Sequence, residues 1–204
     1  MATPVTEILT LANTEVNLRE CAELVAKHSP GFQRSYWGER VQDPELRQWF
    51  IANAIPTLSI PDWDERPKNT NPEVAKTGYE KLRVGASQPS EKKLVAFKPF
   101  PPSKCFSAPI TEVIYATAKP DTDLEEFNKI VDVSLKACDD FKGCYGTSWG
   151  YVLDTEREIV MVVGWENVET HVNFTKTEEC RLTTGPFREV ISQASMYYVK
   201  TQAM

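Results

Sequence analysis

Histidine is scarce in this sequence of 204 residues, and its cysteines follow no metal-binding pattern. His28 and His171 are the two histidines, and none of the five cysteines forms a C-x-x-C pair. A four-ligand zinc site usually shows paired close spacing, so the pattern argues against a Cys/His metal centre. We therefore expect no metal, and we expect free thiols in a reducing cytoplasm.

A net positive charge, long apolar runs and several catalytic motifs are also missing. The formal net charge is −6, which offers no overall basic field to nucleic acid. No stretch reaches the roughly 20 apolar residues of a membrane helix, and the N-terminus lacks the basic region of a signal peptide. A P-loop, an H-E-x-x-H motif and a G-x-G-x-x-G motif after a strand do not occur. The sequence predicts a cytoplasmic protein without nucleic-acid or membrane partners.

A proline-rich stretch breaks the chain almost in half. Residues 99–109 contain four prolines, which lack backbone N–H donors and fix φ, so the stretch is neither a helix nor a central strand. We interpret it as a linker between a domain at residues 1–98 and a domain at residues 110–204.

The second half predicts the order βαββαβ, which is the ferredoxin-like arrangement. The strands are rich in β-branched and aromatic residues, and the helices show apolar residues at helical spacing. The predicted elements are strand 111–119, helix 121–139, strands 144–154 and 158–165, helix 168–180 and strand 194–201.

The first half repeats this order in degraded form. Thr6-Glu7-Ile8 parallels Thr111-Glu112-Val113, and Ser35-Tyr36-Trp37-Gly38 parallels Thr147-Ser148-Trp149-Gly150. The shared order of these matches indicates a tandem duplication. Strand 158–165 is apolar on both sides, which fits a sheet buried on both faces rather than one with a solvated back.

A short segment carries a resemblance to a known family. Val163-Gly164-Trp165-Glu166-Asn167 is followed by a helix with His171 and Phe174, and this resembles the antibiotic-biosynthesis monooxygenase branch of the dimeric α+β barrel superfamily over residues 110–200. The resemblance implies an α+β fold of two ferredoxin-like units whose antiparallel sheets pack face to face within one chain. The protein would be a pseudo-dimeric monomer or a homodimer, with the better pocket in the second half.

His171 is the first candidate for chemistry, since an imidazole with a pKa near 6.5 suits general acid/base work. The resemblance also implies that Trp165 borders a substrate pocket and that no cofactor is needed. The alternatives are a surface histidine and a tryptophan that packs in the core.

Aromatic and hydroxyl side chains recur on the strands of the second half. Trp149 and Tyr151 share one strand face, and Tyr115 and Thr117 are the corresponding pair on the first strand. They suit a planar aromatic or polyketide-like ligand, although packing between sheets explains them equally well. We therefore predict Tyr115 and Tyr151 as catalytic candidates beside His171, and Trp149, Thr117, Phe174 and Trp165 as substrate-binding residues.

Two functions remain open. One is a small-molecule enzyme of secondary metabolism, namely a cofactor-independent oxygenase, cyclase or isomerase. The other is a non-catalytic α+β barrel protein that binds an apolar ligand or serves in stress response. Haem-degrading relatives need a histidine in the stretch 178–190, which has none, so haem is not expected.

Overall fold

The protein is described by a computed structural model at residues 4–12, 19, 20, 22, 23, 26, 32–53, 91–153 and 155–203. The chain divides into two compact units. One unit is Met1–Leu94 with Gln202–Met204, and the other is Val95–Thr201. His28 and residues 54–90 lie outside the described residues.

The first unit is a four-stranded sheet. Its strands are β1 (Val5–Ala12), β2 (Phe32–Arg40), β3 (Leu46–Asn53) and β4 (Glu91–Val95), in the spatial order β4-β1-β3-β2. Buried Leu9, Leu11, Trp49 and Ile51 pack with Ala22 of a helical segment.

The second unit has the predicted ferredoxin-like arrangement. After a short helix α1 (Ser103–Phe106), its elements are β5 (Ile110–Ala118), α2 (Leu124–Asp139), β6 (Cys144–Tyr151), β7 (Glu158–Trp165), α3 (Val168–Thr175), α4 (Glu178–Val190) and β8 (Ile191–Ala203). Its strands run β8-β5-β7-β6, and all neighbouring pairs are antiparallel. The order repeats that of the first unit strand for strand, so the α+β fold class and the duplication are confirmed. Both repeated Trp-Gly segments lie in the second strand of their unit.

Helix α2 covers one face of the second sheet. Asp123 caps it by accepting a 2.9 Å hydrogen bond from the backbone N–H of Glu126. Its buried Phe127, Val131 and Leu135 belong to the same core cluster as the side chains Ile159, Met161, Val163 and Trp165 of β7. The alternate residues Val160 and Val162 are buried as well, so β7 is apolar and covered on both faces.

The helix predicted at residues 168–180 is two helices. Thr177 interrupts it because its hydroxyl accepts the N–H of Cys180 at 3.1 Å, which begins α4. The first of the two helices, α3, carries His171.

The stretch predicted as a linker is packed against the second unit. Pro99 of the stretch accepts a 2.9 Å hydrogen bond from Ser148 of β6, and the preceding Lys98 exchanges backbone hydrogen bonds with Trp149 at 2.8 and 3.3 Å. Cys105, Phe106 and Ala108 are buried. A domain boundary within residues 99–109 stays a prediction, since the second compact unit already begins at Val95.

Candidate functional site

A carboxylic acid stands on the apolar, helix-facing side of the second sheet. Glu112 on β5 pairs in register with Val163 of β7 and with Tyr198 of β8. Its side chain is 6% exposed. Burying a charged carboxylate is costly unless other groups compensate for the lost water, so its neighbours decide its state.

Trp165 provides the first compensating contact. It ends β7, is fully buried, and donates its indole Nε1–H to Oε2 of Glu112 at 2.8 Å. Phe174 of α3 packs at 5.7 Å between ring centroids, and Phe141 packs on both rings. The indole is thereby fixed in one orientation.

His171 provides the second contact. Asn167 caps α3 by accepting the N–H of Thr170 at 2.8 Å, and the first turn of this helix places the imidazole over the indole at 5.2 Å. Its Nε2 lies 3.6 Å from Oε1 of Glu112, and its Nδ1 is hydrogen-bonded to the hydroxyl of Tyr198. Both ring nitrogens therefore face protein groups. We call Glu112, Trp165, His171 and Tyr198 the Glu112 cluster.

Burial shifts the pKa values of this cluster in the directions that favour the uncharged form of each side chain. Desolvation raises the pKa of Glu112 to about 7, although the hydrogen bond from Trp165 opposes the shift. Burial lowers the pKa of His171. It also raises the pKa of Tyr198 to about 12, with a further contribution from the charge of Glu112. Near pH 7 the cluster thus holds a titrating carboxyl, a neutral imidazole and a protonated phenol.

Two thiols next to the cluster are held in the protonated form. Desolvation raises the pKa of Cys138, and the charge of Glu112 contributes further. It raises the pKa of Cys144 to about 11. These cysteines are therefore poor nucleophiles at neutral pH.

Three of the predicted residues meet in the cluster or against it. His171 and Trp165 belong to it, and Phe174 packs on Trp165. Glu112 and Tyr198 were missed. Glu112 had a signal, since it is the one charged residue on a strand side whose other members are Ile110, Ile114, Ala116 and Ala118.

Trp149 and Tyr151 lie on the same sheet face but far from the cluster. Their register partners on β7 are Met161 and Ile159, about 13 and 20 Å along the strand from Trp165. Trp149 donates to Asp132 at 2.7 Å and Tyr151 to Asn128 at 2.8 Å, which attaches α2 to β6. They do not converge with His171.

Tyr115 and Thr117 face the other way. Tyr115 pairs with Val160 of β7, whereas the cluster side carries Val163 and Trp165, so the pleat turns Tyr115 to the opposite face. Its hydroxyl lies 3.1 Å from that of Tyr197. The prediction that these two residues form one ligand surface with Trp149 and Tyr151 was wrong. The pairing register of β5 with β7 places Tyr115 and Thr117 on the opposite face of the sheet.

Residues 146–150 match the G-x-S-x-G pattern of hydrolase nucleophiles. That pattern needs a strand-to-helix turn that exposes the serine. Here it lies inside β6, where buried Ser148 donates to the carbonyl of Pro99 at 2.9 Å. Ser148 is thus a structural residue.

The first unit holds a matching carboxyl with different neighbours. Glu7 of β1 pairs with Ile51 of β3, as Glu112 pairs with Val163. Its Oε1 lies 3.6 Å from Nζ of Lys92, and the residue two places after Ile51 is Asn53 rather than a tryptophan. The carboxyl is repeated, but the indole is not.

Within the described residues, no group of three His, Cys, Asp or Glu side chains could hold a metal ion. No helix among those residues is long and apolar enough to cross a membrane. Four cysteines, Cys105, Cys138, Cys144 and Cys180, are free.

Comparison with known proteins identifies the fold. No protein-family model matches the chain, and no curated protein matches it. The chain is similar to a putative monooxygenase from Lactobacillus acidophilus NCFM, with a TM-score of 0.67 and 14% identity over 98% of this chain and 95% of that one. It is also similar to an anthrone oxidase-like protein, with a TM-score of 0.64 and 10% identity over 98% of this chain and 93% of that one. For the putative chlorite dismutase TA0507 the TM-score is 0.62 and the identity 14%, over 99% of this chain and 96% of that one.

These three names differ in activity, so the likeness speaks for the fold alone. That fold is of the α+β class predicted from the sequence, in a chain whose two units repeat one strand order.

Proposed function

We propose that this chain, with its two-repeat α+β barrel fold, is a cofactor-independent oxygenase that acts on a weakly acidic aromatic or polyketide-like compound. The observation that carries the proposal is the Glu112 cluster, in which a carboxyl, an imidazole and a phenol form one contact chain beside stacked aromatic rings. Such a chain can accept a proton in a site with little water, which is what a substrate that reacts through its anion needs.

The chemistry balances with molecular oxygen as the oxidant. The cluster takes a proton from an activated C–H group, and the electron pair stays on the substrate as a delocalised carbanion. The anion combines with O₂ to a peroxide, which accepts a proton and loses water to leave a new carbonyl group. For anthrone the sum is anthrone plus O₂ to anthraquinone plus water.

Anthrone is a suitable first test compound because one structural relative is described as anthrone oxidase-like. Purified protein is mixed with anthrone in air, and oxygen uptake and anthraquinone formation are followed. We expect a catalysed rate above the spontaneous one, and we expect His171→Ala to lower kcat by about 10²–10⁴-fold. Glu169→Ala, an exposed change two residues away on α3, is the matched control and should keep the wild-type rate.

The alternatives give different results in the same experiment. A binding protein would shift the absorption or fluorescence of bound aromatic compounds without any turnover. An isomerase or cyclase would convert its substrate without consuming oxygen. A rate equal to the spontaneous one across a panel of anthrones, naphthols and polyketide-like phenols would reject the oxygenase.

A further inference from the structure

We propose that Glu112 and His171 hold one proton between them, and that this shared proton fastens helix α3 to the sheet. The inference goes beyond the proposed oxygenase activity, because it concerns the docking of a helix and involves no substrate. It follows from the contacts of the Glu112 cluster and from the short length of α3.

Helix α3 is short and has few attachments. It spans eight residues, and Phe174 is its one buried side chain. A helix of this length is not stable in water by itself, so its contacts with the rest of the unit hold it in place. In the described part of the chain, its polar contacts with the sheet are those of His171, with Glu112 on β5 and with Tyr198 on β8. The docking of α3 therefore depends on the charge state of this imidazole.

Trp165 decides where the proton of Glu112 lies. An indole N–H only donates, and here it donates to Oε2 of the carboxyl at 2.8 Å. A carbonyl oxygen accepts better than an acid hydroxyl, so the proton of the neutral acid lies on the other oxygen, Oε1. That oxygen faces Nε2 of His171 at 3.6 Å, in a contact whose two side chains are 6% and 14% exposed. The proton is thereby placed between the carboxyl and the imidazole.

A single proton leaves this pair without net charge. On Oε1 it makes a neutral acid beside a neutral imidazole, and on Nε2 it makes a carboxylate beside an imidazolium. The hydroxyl of Tyr198 fits both arrangements, because a phenol can donate to Nδ1 of His171 or accept from it. A second proton would bury an imidazolium beside a neutral acid, and loss of the proton would bury a net negative charge. Both are costly away from water.

The pKa shifts agree with a single proton. Burial raises the pKa of Glu112 to about 7 and lowers that of His171, so the carboxyl takes up a proton before the imidazole does. Among the described residues, the other titratable groups that face the pair are Tyr198 on β8, Cys138 on α2 and Cys144 on β6. Burial raises the pKa values of all three, and they stay protonated below pH 7.

The protons of the pair are counted directly in the wild type at pH 6. The ¹⁵N shifts of His171 report the charge of its ring, and the carboxyl ¹³C shift of Glu112 reports its ionisation. The chain has two histidines, so His28→Gln assigns the ring signals. We expect the two occupancies to add to about one proton. A sum close to zero or close to two overturns the proposal.

Removing one partner at a time separates the two titrations. In Glu112→Gln only the imidazole titrates, and its charged form prefers water, so α3 should open more as pH falls. In His171→Gln only the carboxyl titrates, and its neutral form prefers burial, so α3 should open less as pH falls. In the wild type the effects cancel between pH 5 and pH 6.5, because the opened pair also holds one proton, then on the imidazole.

Hydrogen exchange of the α3 amides measures the opening, with rates corrected for the intrinsic effect of pH. From pH 7 to pH 5 we expect opening to rise about 10-fold in Glu112→Gln, to fall about 10-fold in His171→Gln, and to change less than about threefold in the wild type. Glu169→Gln removes an exposed charge from α3 and should follow the wild type. The amides of α2 report opening of the whole unit and should exchange more slowly. A wild type that follows either variant, or two variants without opposite slopes, overturns the shared proton.

Discussion

Glu112 links the stability of the fold to pH. Burial raises its pKa from 4.5 to about 7, so between these values the folded chain binds more protons than the unfolded chain. The free energy of unfolding therefore falls as pH rises through this window, by about 3 kcal/mol from this residue. We expect Glu112→Gln to remove that loss, so that its stability relative to the wild type improves from pH 5 to pH 8 in urea unfolding.

The difference between variant and wild type is needed because other titratable groups face Glu112. They are His171 on α3, Tyr198 on β8, Cys138 on α2 and Cys144 on β6. Burial raises the pKa values of the phenol and the thiols, so these groups titrate above the window. It lowers the pKa of His171, which costs stability as pH falls and so has the opposite sign. Glu156→Gln, in an exposed turn, is the control, and its stability relative to the wild type should not change between pH 5 and pH 8. If the relative stability of Glu112→Gln were equally independent of pH, the prediction would be contradicted.

Trp165 keeps the carboxyl of Glu112 from titrating at still higher pH. Trp165→Phe preserves an aromatic ring but removes the N–H that bonds Oε2. We expect the pKa of Glu112 to rise above about 7, as measured by ¹³C NMR of its carboxyl carbon, because the ionised form loses a donor. Trp149→Phe removes an indole donor from Asp132 on α2 instead and should leave that titration in place. An equal shift in both variants would refute a specific role for Trp165.

Residue type and local pattern predict only part of the site. The segment around Trp165 and the single histidine after it point to the right end of β7. Glu112 stands out on its strand as a charged residue on an apolar side, but its meeting with Tyr198 depends on cross-strand register, which a single strand does not encode. Tyr115 shows the same limit, since only pairing with Val160 reveals which face it occupies.

The pairing of β6 with residues 95–98 requires glycine at position 150. A Cβ at Gly150 would lie 2.2 Å from the carbonyl oxygen of Ala96, so the backbone at residues 95–98 could not stay paired with β6. We expect Gly150→Ala to lower the free energy of unfolding by about 1–3 kcal/mol or more. Gly185→Ala in α4 meets nothing within 4 Å and should raise it by up to about 1 kcal/mol. Urea unfolding that ranks the two variants in the opposite order would contradict this account.

Periodicity predicts the elements well and their ends poorly. Helix α2 and the β6–β7 hairpin follow from their apolar spacing. Helix α4 continues through Pro186, because the ring and the exposed Leu182 four residues earlier lie on the solvent side. Water can satisfy the carbonyl that the proline leaves without its helical partner. Predicting the end of α4 from Pro186 would therefore place it before its observed end at Val190.

The second compact unit includes residues 95–109, of which the sequence assigns residues 99–109 to a linker. Phe97 and Phe106 are buried and meet edge to face at 6.3 Å between centroids, and Thr111 donates to the carbonyl of Cys105 at 2.8 Å. Each buried phenylalanine contributes about 1.5–3 kcal/mol. We expect a fragment of residues 95–201 to unfold cooperatively in urea, monitored by circular dichroism, and a fragment of residues 110–201 to be largely unfolded. Equal urea midpoints would show that the segment is dispensable and would favour a boundary within residues 99–109.

The two units of the chain place the same acidic residue in two different surroundings. An acidic residue occupies the same position of both units, Glu7 beside the ammonium group of Lys92 and Glu112 beside the indole of Trp165. Burial raises the pKa of the second copy to about 7, so Glu112 exchanges its proton near neutral pH. One position of the repeated strand order therefore carries two different electrostatic environments within a single chain, a cationic neighbour in the first unit and an indole donor in the second.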